Sequence, residues 1–287
     1  MMPASIVAGF DDSRPAWSAL GWAAADAARR GLRLRIVHVR EPWCAEHPMD
    51  ASVETDTLTA RCESMLAGAA AHARDTAPDT PISTALVTGA VTERLVTESE
   101  TADTVVVGSR GLGGFAGLVL GSVGLGLAAH VACPAVVVRR LPRAPTGEVV
   151  VGYDGSPAAE RALEYAAKQA VARQGRLHAL HGLRCPPAAP HPVGFGPLIV
   201  DDGDDIARRL AEWREAHPGV ELSVSMSFEH PIAALSAASR TADLVVVGSV
   251  GLSGLPANRL GSVGHSVLHR AHCPVAVVPG PSAAAQP

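Results

Sequence analysis

The stretch from Thr101 to Val138 recurs as Thr241 to Val278, with TADxVVVGSxGL, a spacer, LGSVG and CPxxVV in the same register, and 20 of the 38 ungapped positions are identical. A repeat of this length means one folding unit used twice, so each half has to close its own core. The identical positions gather in a strand, a glycine-rich turn, a second turn and a second strand, which marks a shared site as well as a shared packed face. The 287 residues exceed the usual ~100–200 of one domain, and half of them suffice for a compact core. Hydrophobic residues make up 47% of the chain but aromatics only 3%, so that core is built from Ala, Val and Leu, which suits helices packed closely on a sheet.

Both halves begin with an apolar run ending in Gly, an aromatic and Asp: IVAGFDDS from Ile6 and VVVGYDGS from Val149. A strand stops there, and Ser13 or Ser156 with the preceding acid can cap the next helix. Alternating apolar segments at Leu32 to Val39 and Arg176 to Leu183 read as second strands, followed by unlike Pro-rich stretches, a long helix and a third strand in each half. Fourth strands are predicted at Thr104 to Val107 and Leu244 to Val247, and fifth strands at Ala135 to Val138 and Val275 to Val278. The fold class is therefore α/β, as two tandem Rossmann-like domains. Each is a five-stranded parallel sheet of order 3-2-1-4-5 with helices on both faces and right-handed crossovers. The predicted domains are 1–140 and 147–280, with 141–146 as linker and 281–287 as tail.

Lys plus Arg number 24 against 28 for Asp plus Glu, and no basic block is interleaved with aromatics, which argues against nucleic acid or an anionic membrane as partner. The five cysteines form no CxxC pair, and no charged, apolar leader precedes Ile6, so free thiols and a cytoplasmic protein are expected. The apolar stretch from Phe115 to Val138 is interrupted by glycines, His130 and Pro134, and reads as loop, helix and strand rather than a bilayer span.

The glycine spacing carries the chemistry. Gly108-Ser-Arg-Gly111 is followed after nine residues by Gly121-Ser122, and Gly248-Ser-Val-Gly251 after nine by Gly261-Ser262. Gly108 and Gly248 end the fourth strand, where a turn without side chains lets backbone N–H groups face a ligand. Gly121-Ser122 and Gly261-Ser262 open the last helix, whose free N–H groups attract an anion. Two such turns around one cavity suit a polyphosphate. In the order 3-2-1-4-5, strands one and four are neighbours, so Asp11 and Asp154 converge on the glycine loops at the carboxyl ends. The ends of the second strands, near Val39 and Leu183, are left to cover a planar apolar base.

This pattern resembles the universal stress protein family, over Ile6 to Val138 and again over Val149 to Val278. Its nucleotide-binding members carry G-x2-G-x9-G-[ST], which both halves match at every fixed position. The resemblance implies a fold like that of adenine nucleotide alpha hydrolases. It implies ATP, accompanied by Mg²⁺, held at Asp11, Gly108, Gly111, Gly121, Ser122 and Val123, and at Asp154, Gly248, Gly251, Gly261, Ser262 and Val263. It further implies unknown regulatory protein partners in stress or growth arrest, and an intramolecular pseudo-dimer or a homodimer joined through the fifth strands.

The halves differ in two places that touch this site. Asp12 stands where half two has Gly155, adding a carboxylate that should weaken site one unless Mg²⁺ offsets it. Arg110 lies in the first turn of half one, whereas Arg259 precedes Gly261 in half two, and each can reach a phosphate or remain a solvated surface cation. His265, His269 and His272 recur at helical spacing, but no acid or cysteine nearby completes a metal set. The acidic run from Asp201 to Asp205 lacks the alternating ligands of a calcium loop and suits a helix start. An interaction module without nucleotide is the alternative, as is a slow ATP-hydrolysing enzyme. No Walker lysine, paired catalytic carboxylates or Ser-His-Asp order can be assigned, so no catalytic residue is named.

Overall fold

The computed structural model describes residues 4–41, 51–112, 120–142, 144–182, 203–252 and 260–281, with 51–56 by backbone alone. The chain divides into two compact units, Met1–Leu141 and Pro142–Pro287.

In the first unit, β1 (Ser5–Gly9) leads into α1 (Arg14–Arg30), β2 (Arg33–Arg40), α2 (Ala51–Thr76), β3 (Ile82–Thr88), α3 (Val91–Ser99), β4 (Thr104–Gly108), α4 (Ser122–His130) and β5 (Ala135–Val138). β1 pairs with β2 and β4, β2 with β3, and β4 with β5, all parallel, which orders the sheet β3-β2-β1-β4-β5. The steps from β1 out to β3 and from β4 out to β5 run in opposite directions, so right-handed crossovers put the two helix pairs on opposite faces. Accordingly α1 packs against α2, and α3 against α4. β1, β4 and β5 are near-continuous buried runs of Val, Ile and Ala, as a parallel strand covered on both faces requires, whereas the edge strand β3 is largely open.

The second unit repeats the plan with β6 (Glu148–Gly152), α5 (Pro157–Ala172), β7 (Arg176–Gly182), α6 (Gly203–Ala216), β8 (Leu222–Ser227), α7 (Pro231–Ala238), β9 (Leu244–Gly248), α8 (Ser262–Arg270) and β10 (Val275–Val278). Its parallel pairings order it β8-β7-β6-β9-β10. The fourth strands end one residue later than the sequence pattern indicates, taking in Gly108 and Gly248 as their last paired residues. Among the described residues no helix is long and apolar enough to cross a membrane.

The Ala-rich faces of α1 and α5 let the helices lie close on the sheet. Ala16, Ala19, Ala23, Ala24 and Ala27 are buried in α1, and Ala158, Ala159, Ala162, Ala166 and Ala170 in α5. A proline in the first turn of each presets the backbone without removing a needed donor.

Candidate functional site

In each unit the first turn of the chain is tied to the glycine loop through one carboxylate. Asp11 Oδ1 accepts the Ser13 amide at 3.1 Å, while Oδ2 accepts the Leu112 amide at 3.0 Å, 101 residues away. Asp154 repeats this with Ser156 at 3.1 Å and Leu252 at 3.2 Å. The helix cap itself is the serine: Ser13 Oγ accepts the Ala16 amide at 3.3 Å, and Ser156 Oγ the Ala159 amide at 3.2 Å. Ser13 Oγ also donates to the Arg110 carbonyl at 3.3 Å, a second tie between α1 and the loop. With both oxygens accepting amides, the acid is a strut of the site, and its charge strengthens both bonds.

The glycines divide into two kinds. A Cβ at Gly108 would lie 2.6 Å from the Pro15 carbonyl carbon and 2.8 Å from its oxygen, and one at Gly248 would lie 2.9 Å from Ala158 Cβ. Glycine there admits the first turn of α1 or α5 onto the strand end. The Ser109 amide is taken by the Val138 carbonyl at 3.0 Å and that of Ser249 by Val278 at 2.8 Å, so the strand ends do not offer these donors to a ligand. Gly111 is held open by the acid, since its Cβ would fall 2.5 Å from Asp11 Oδ2.

Gly121 and Gly261 are different. They cap α4 and α8 from extended backbone, φ −82° and −65°, which any residue adopts. Among the described residues, a Cβ at Gly121 would meet nothing nearer than 3.5 Å, and the nearest atom to one at Gly261 is the Ser249 carbonyl oxygen at 3.3 Å. Their own amides donate to Ser109 and Ser249 carbonyls at 2.7 Å. The next three amides, of Ser122, Val123 and Gly124 or of Ser262, Val263 and Gly264, have no acceptor within the helix.

A family model described as the universal stress protein family matches residues 2–139 and again 146–279. The chain belongs to the universal stress protein family. Universal stress protein Rv1996 of Mycobacterium tuberculosis is 33% identical over 307 aligned positions, covering 98% of this chain and 97% of the relative. Universal stress protein Rv2623 of the same organism is 34% identical, with 95% of each covered. A crystal structure of a universal stress protein from Archaeoglobus fulgidus superposes with a TM-score of 0.74 at 22% identity, covering 97% of this chain and 99% of that one, a likeness of fold.

In this universal stress protein Asp11, Gly108, Arg110, Gly111, Gly121, Ser122 and Val123 come together at the carboxyl ends of β1 and β4, as do Asp154, Gly248, Gly251, Gly261, Ser262 and Val263 at those of β6 and β9. Val39, 8% exposed, ends the buried part of β2. Leu183 and Arg259 lie outside the described residues, as do Cys44, Cys185 and Asp201.

Several residues at the site carry no motif. His38 and His181 each turn Nδ1 to the carbonyl before the acid, Phe10 and Tyr153, at 2.8 Å, so Nδ1 holds the proton and donates. Their common offset of 28 residues from that carbonyl is a signal the duplicated sequence contains. Asp12 and Gly155 share a left-handed turn, φ 66° and 73°. Asp12 directs its carboxylate to Trp17 Nε1 at 3.0 Å. In the second unit the Gly155 carbonyl instead receives Arg209 Nη1 at 2.7 Å, and Glu160 accepts from Tyr153 Oη at 2.5 Å. The residue after the strut is thus a carboxylate bonded by Trp17 in one unit and a glycine whose carbonyl is bonded by Arg209 in the other. Among the described residues no group of three His, Cys, Asp or Glu could hold a metal ion.

Proposed function

We propose that each unit binds an adenine nucleotide, ATP, and that occupancy alters the surface offered to regulatory partners in stress or growth arrest. The observation that carries this reading is the pair Gly121 and Gly261. The backbone is ordinary, and among the described residues a Cβ would meet nothing nearer than 3.5 Å at Gly121 and 3.3 Å at Gly261, yet both are glycine beside three amides without intrahelical acceptors. A polyphosphate seated on those amides supplies both the negative charge they attract and the reason for empty space.

Phosphates would rest on the first turns of α4 and α8 and on the Gly111 and Gly251 loops, with Arg110 beside the first. The base would lie toward Val39 in one unit and the end of β7 in the other. Mg²⁺ would arrive on the phosphates, because Asp11 and Asp154 each already accept two amides and Asp12 accepts from Trp17 Nε1. That commitment also suits a protein that holds nucleotide rather than one that activates water for attack, which needs a free base and preorganised charge around the leaving group.

Mass spectrometry of small molecules released from the purified, denatured protein tests the ligand, and calorimetry of Gly121→Glu and Gly261→Glu tests the place. Each variant should lose one equivalent of nucleotide while retaining its fold. Unchanged stoichiometry in both would remove the phosphate-loop assignment.

A further inference from the structure

The outer strand of the first unit is an open edge without a guard. Among the described residues β3 pairs with β2 alone. The Leu34 amide donates to the Pro81 carbonyl at 2.9 Å and the Gly89 amide to the Arg40 carbonyl at 3.0 Å, so the odd-numbered residues of β3 turn their backbone groups to β2. The N–H and C=O groups of Ile82, Thr84 and Leu86 therefore point away from the sheet. Natural edges of this kind are protected by charge or proline. β3 reads ISTALVT and carries neither.

The same three residues line a groove of about 520 Å³ against α2, which contributes Leu66 and Ala70 to it. Glu63 and Arg74 of α2 line the groove as well, both exposed, and neither has an ion pair among the described residues. Their separation along the helix is about 16 Å, which matches a run of roughly five strand residues. The groove thus has an acid toward one end, a base toward the other, and a row of unpaired backbone groups along its side.

That combination is self-complementary. A two-fold axis normal to the sheet sets two β3 strands antiparallel, keeps both α2 helices on one face, and reverses one helix against the other. Glu63 of each copy then meets Arg74 of the other, and the groove between them closes. The second unit lacks the match, because Arg214 takes the place of Arg74 in α6 but Gly203 takes that of Glu63.

We propose that two copies of the chain associate through the β3 edges, with Glu63 of each against Arg74 of the other. The association does not depend on the nucleotide reading.

Sedimentation equilibrium of the full chain should give the mass of a dimer at micromolar concentrations. Glu63→Arg and Arg74→Glu each set like charges face to face and should weaken association on the order of tenfold, while the two variants mixed, or both changes in one chain, should restore it. Thr84→Pro removes an outward N–H that β2 does not use, so it should abolish the dimer and keep the fold, as judged by thermal unfolding. Thr84→Lys retains that N–H and places a charge on the edge, so it gives the same test where proline disturbs the strand. A monomeric full chain, a dimer indifferent to both Thr84 variants, or charge reversals that do not rescue each other would overturn the proposal.

Discussion

Gly108→Ala and Gly121→Ala separate a glycine required by the fold from a glycine required by a ligand. At Gly108 the added methyl would sit 2.6 Å from Pro15 C, 2.8 Å from Pro15 O and 2.9 Å from Ala16 N. Ordinary carbon contacts lie at about 3.5–4.0 Å, so α1 must retreat by roughly 1 Å. These are backbone atoms of a helix whose buried face includes Ala16, Ala19, Leu20 and Trp22, and they cannot rotate away. Overpacking of this kind costs about 1–3 kcal/mol. Gly248→Ala should cost somewhat less, about 1–2 kcal/mol, because its contacts, Ala158 Cβ at 2.9 Å and Ala158 C and O at 3.0 and 3.2 Å, are a few tenths of an ångström longer. At Gly121 the methyl meets its nearest neighbour at 3.5 Å with φ −82°. The weaker helix cap and the smaller unfolded-chain entropy oppose each other, leaving the change within about 1 kcal/mol of zero.

Thermal unfolding ranks the three variants, and hydrogen exchange on peptides covering α1, α4 and α5 assigns each loss to its unit, since a two-unit chain need not unfold in one step. Gly108→Ala should speed exchange in α1, and Gly121→Ala should leave both helices protected. A Gly121→Ala variant as unstable as Gly108→Ala would refute the distinction, because the empty space at α4 would then belong to packing.

Asp12→Gly should leave stability within about 1 kcal/mol, the relief of the left-handed turn being offset by the lost Trp17 bond and by glycine's unfolded-state entropy, and should tighten nucleotide at site one by removing a carboxylate. Asp11→Asn and Asp154→Asn each weaken two amide bonds to a charged acceptor, a loss of about 1–3 kcal/mol, read as faster exchange in the loops at 109–112 or 249–252 with or without nucleotide; unchanged exchange would show the acid is not a strut. Burial raises the thiols of Cys133 and Cys273 from 9.0 to about 12, so both should resist alkylation at pH 8.5 in the native protein. Because the folded form keeps its proton longer, their contribution to stability is complete below about pH 9 and declines from there toward pH 12, which urea titrations across that window would register.

The sequence made the sheet legible because its signals are local. Valine runs, glycine punctuation and repeat spacing located β4, β5, β9 and β10 to within a residue, and the Ser13 and Ser156 caps follow from residue type alone. The division of labour among the glycines was not legible. Whether Gly108 or Gly121 meets backbone depends on what α1 places opposite, a fact of packing rather than spacing. The same holds for the repeated TAD segment. Asp103 pairs with Arg30 at 2.6 Å, whereas its counterpart Asp243 accepts the Thr146 and Gly147 amides at 2.9 and 2.8 Å, so identical letters brace a helix end in one unit and the incoming chain in the other.

Asp11 and Asp154 show why identity across the repeat and role at the site need separate reasoning. From sequence the acid could cap a helix or contact a nucleotide, since both uses want a carboxylate after the first strand. The structure gives it a third use, joining β1 to the loop after β4 and β6 to the loop after β9. The site's shape therefore depends on a contact between segments 101 residues apart in one unit and 98 in the other. A loop held by a charged strut keeps its amides in place before any ligand arrives, which lowers the ordering cost of binding. The neighbours of that strut are what diverged: Trp17 with Asp12 in one unit, Arg209 and Glu160 in the other. Duplication preserved the cradle and left its rim free to change, so differences in ligand choice between the two units should trace to rim residues such as Asp12 and Arg209 rather than to the glycines.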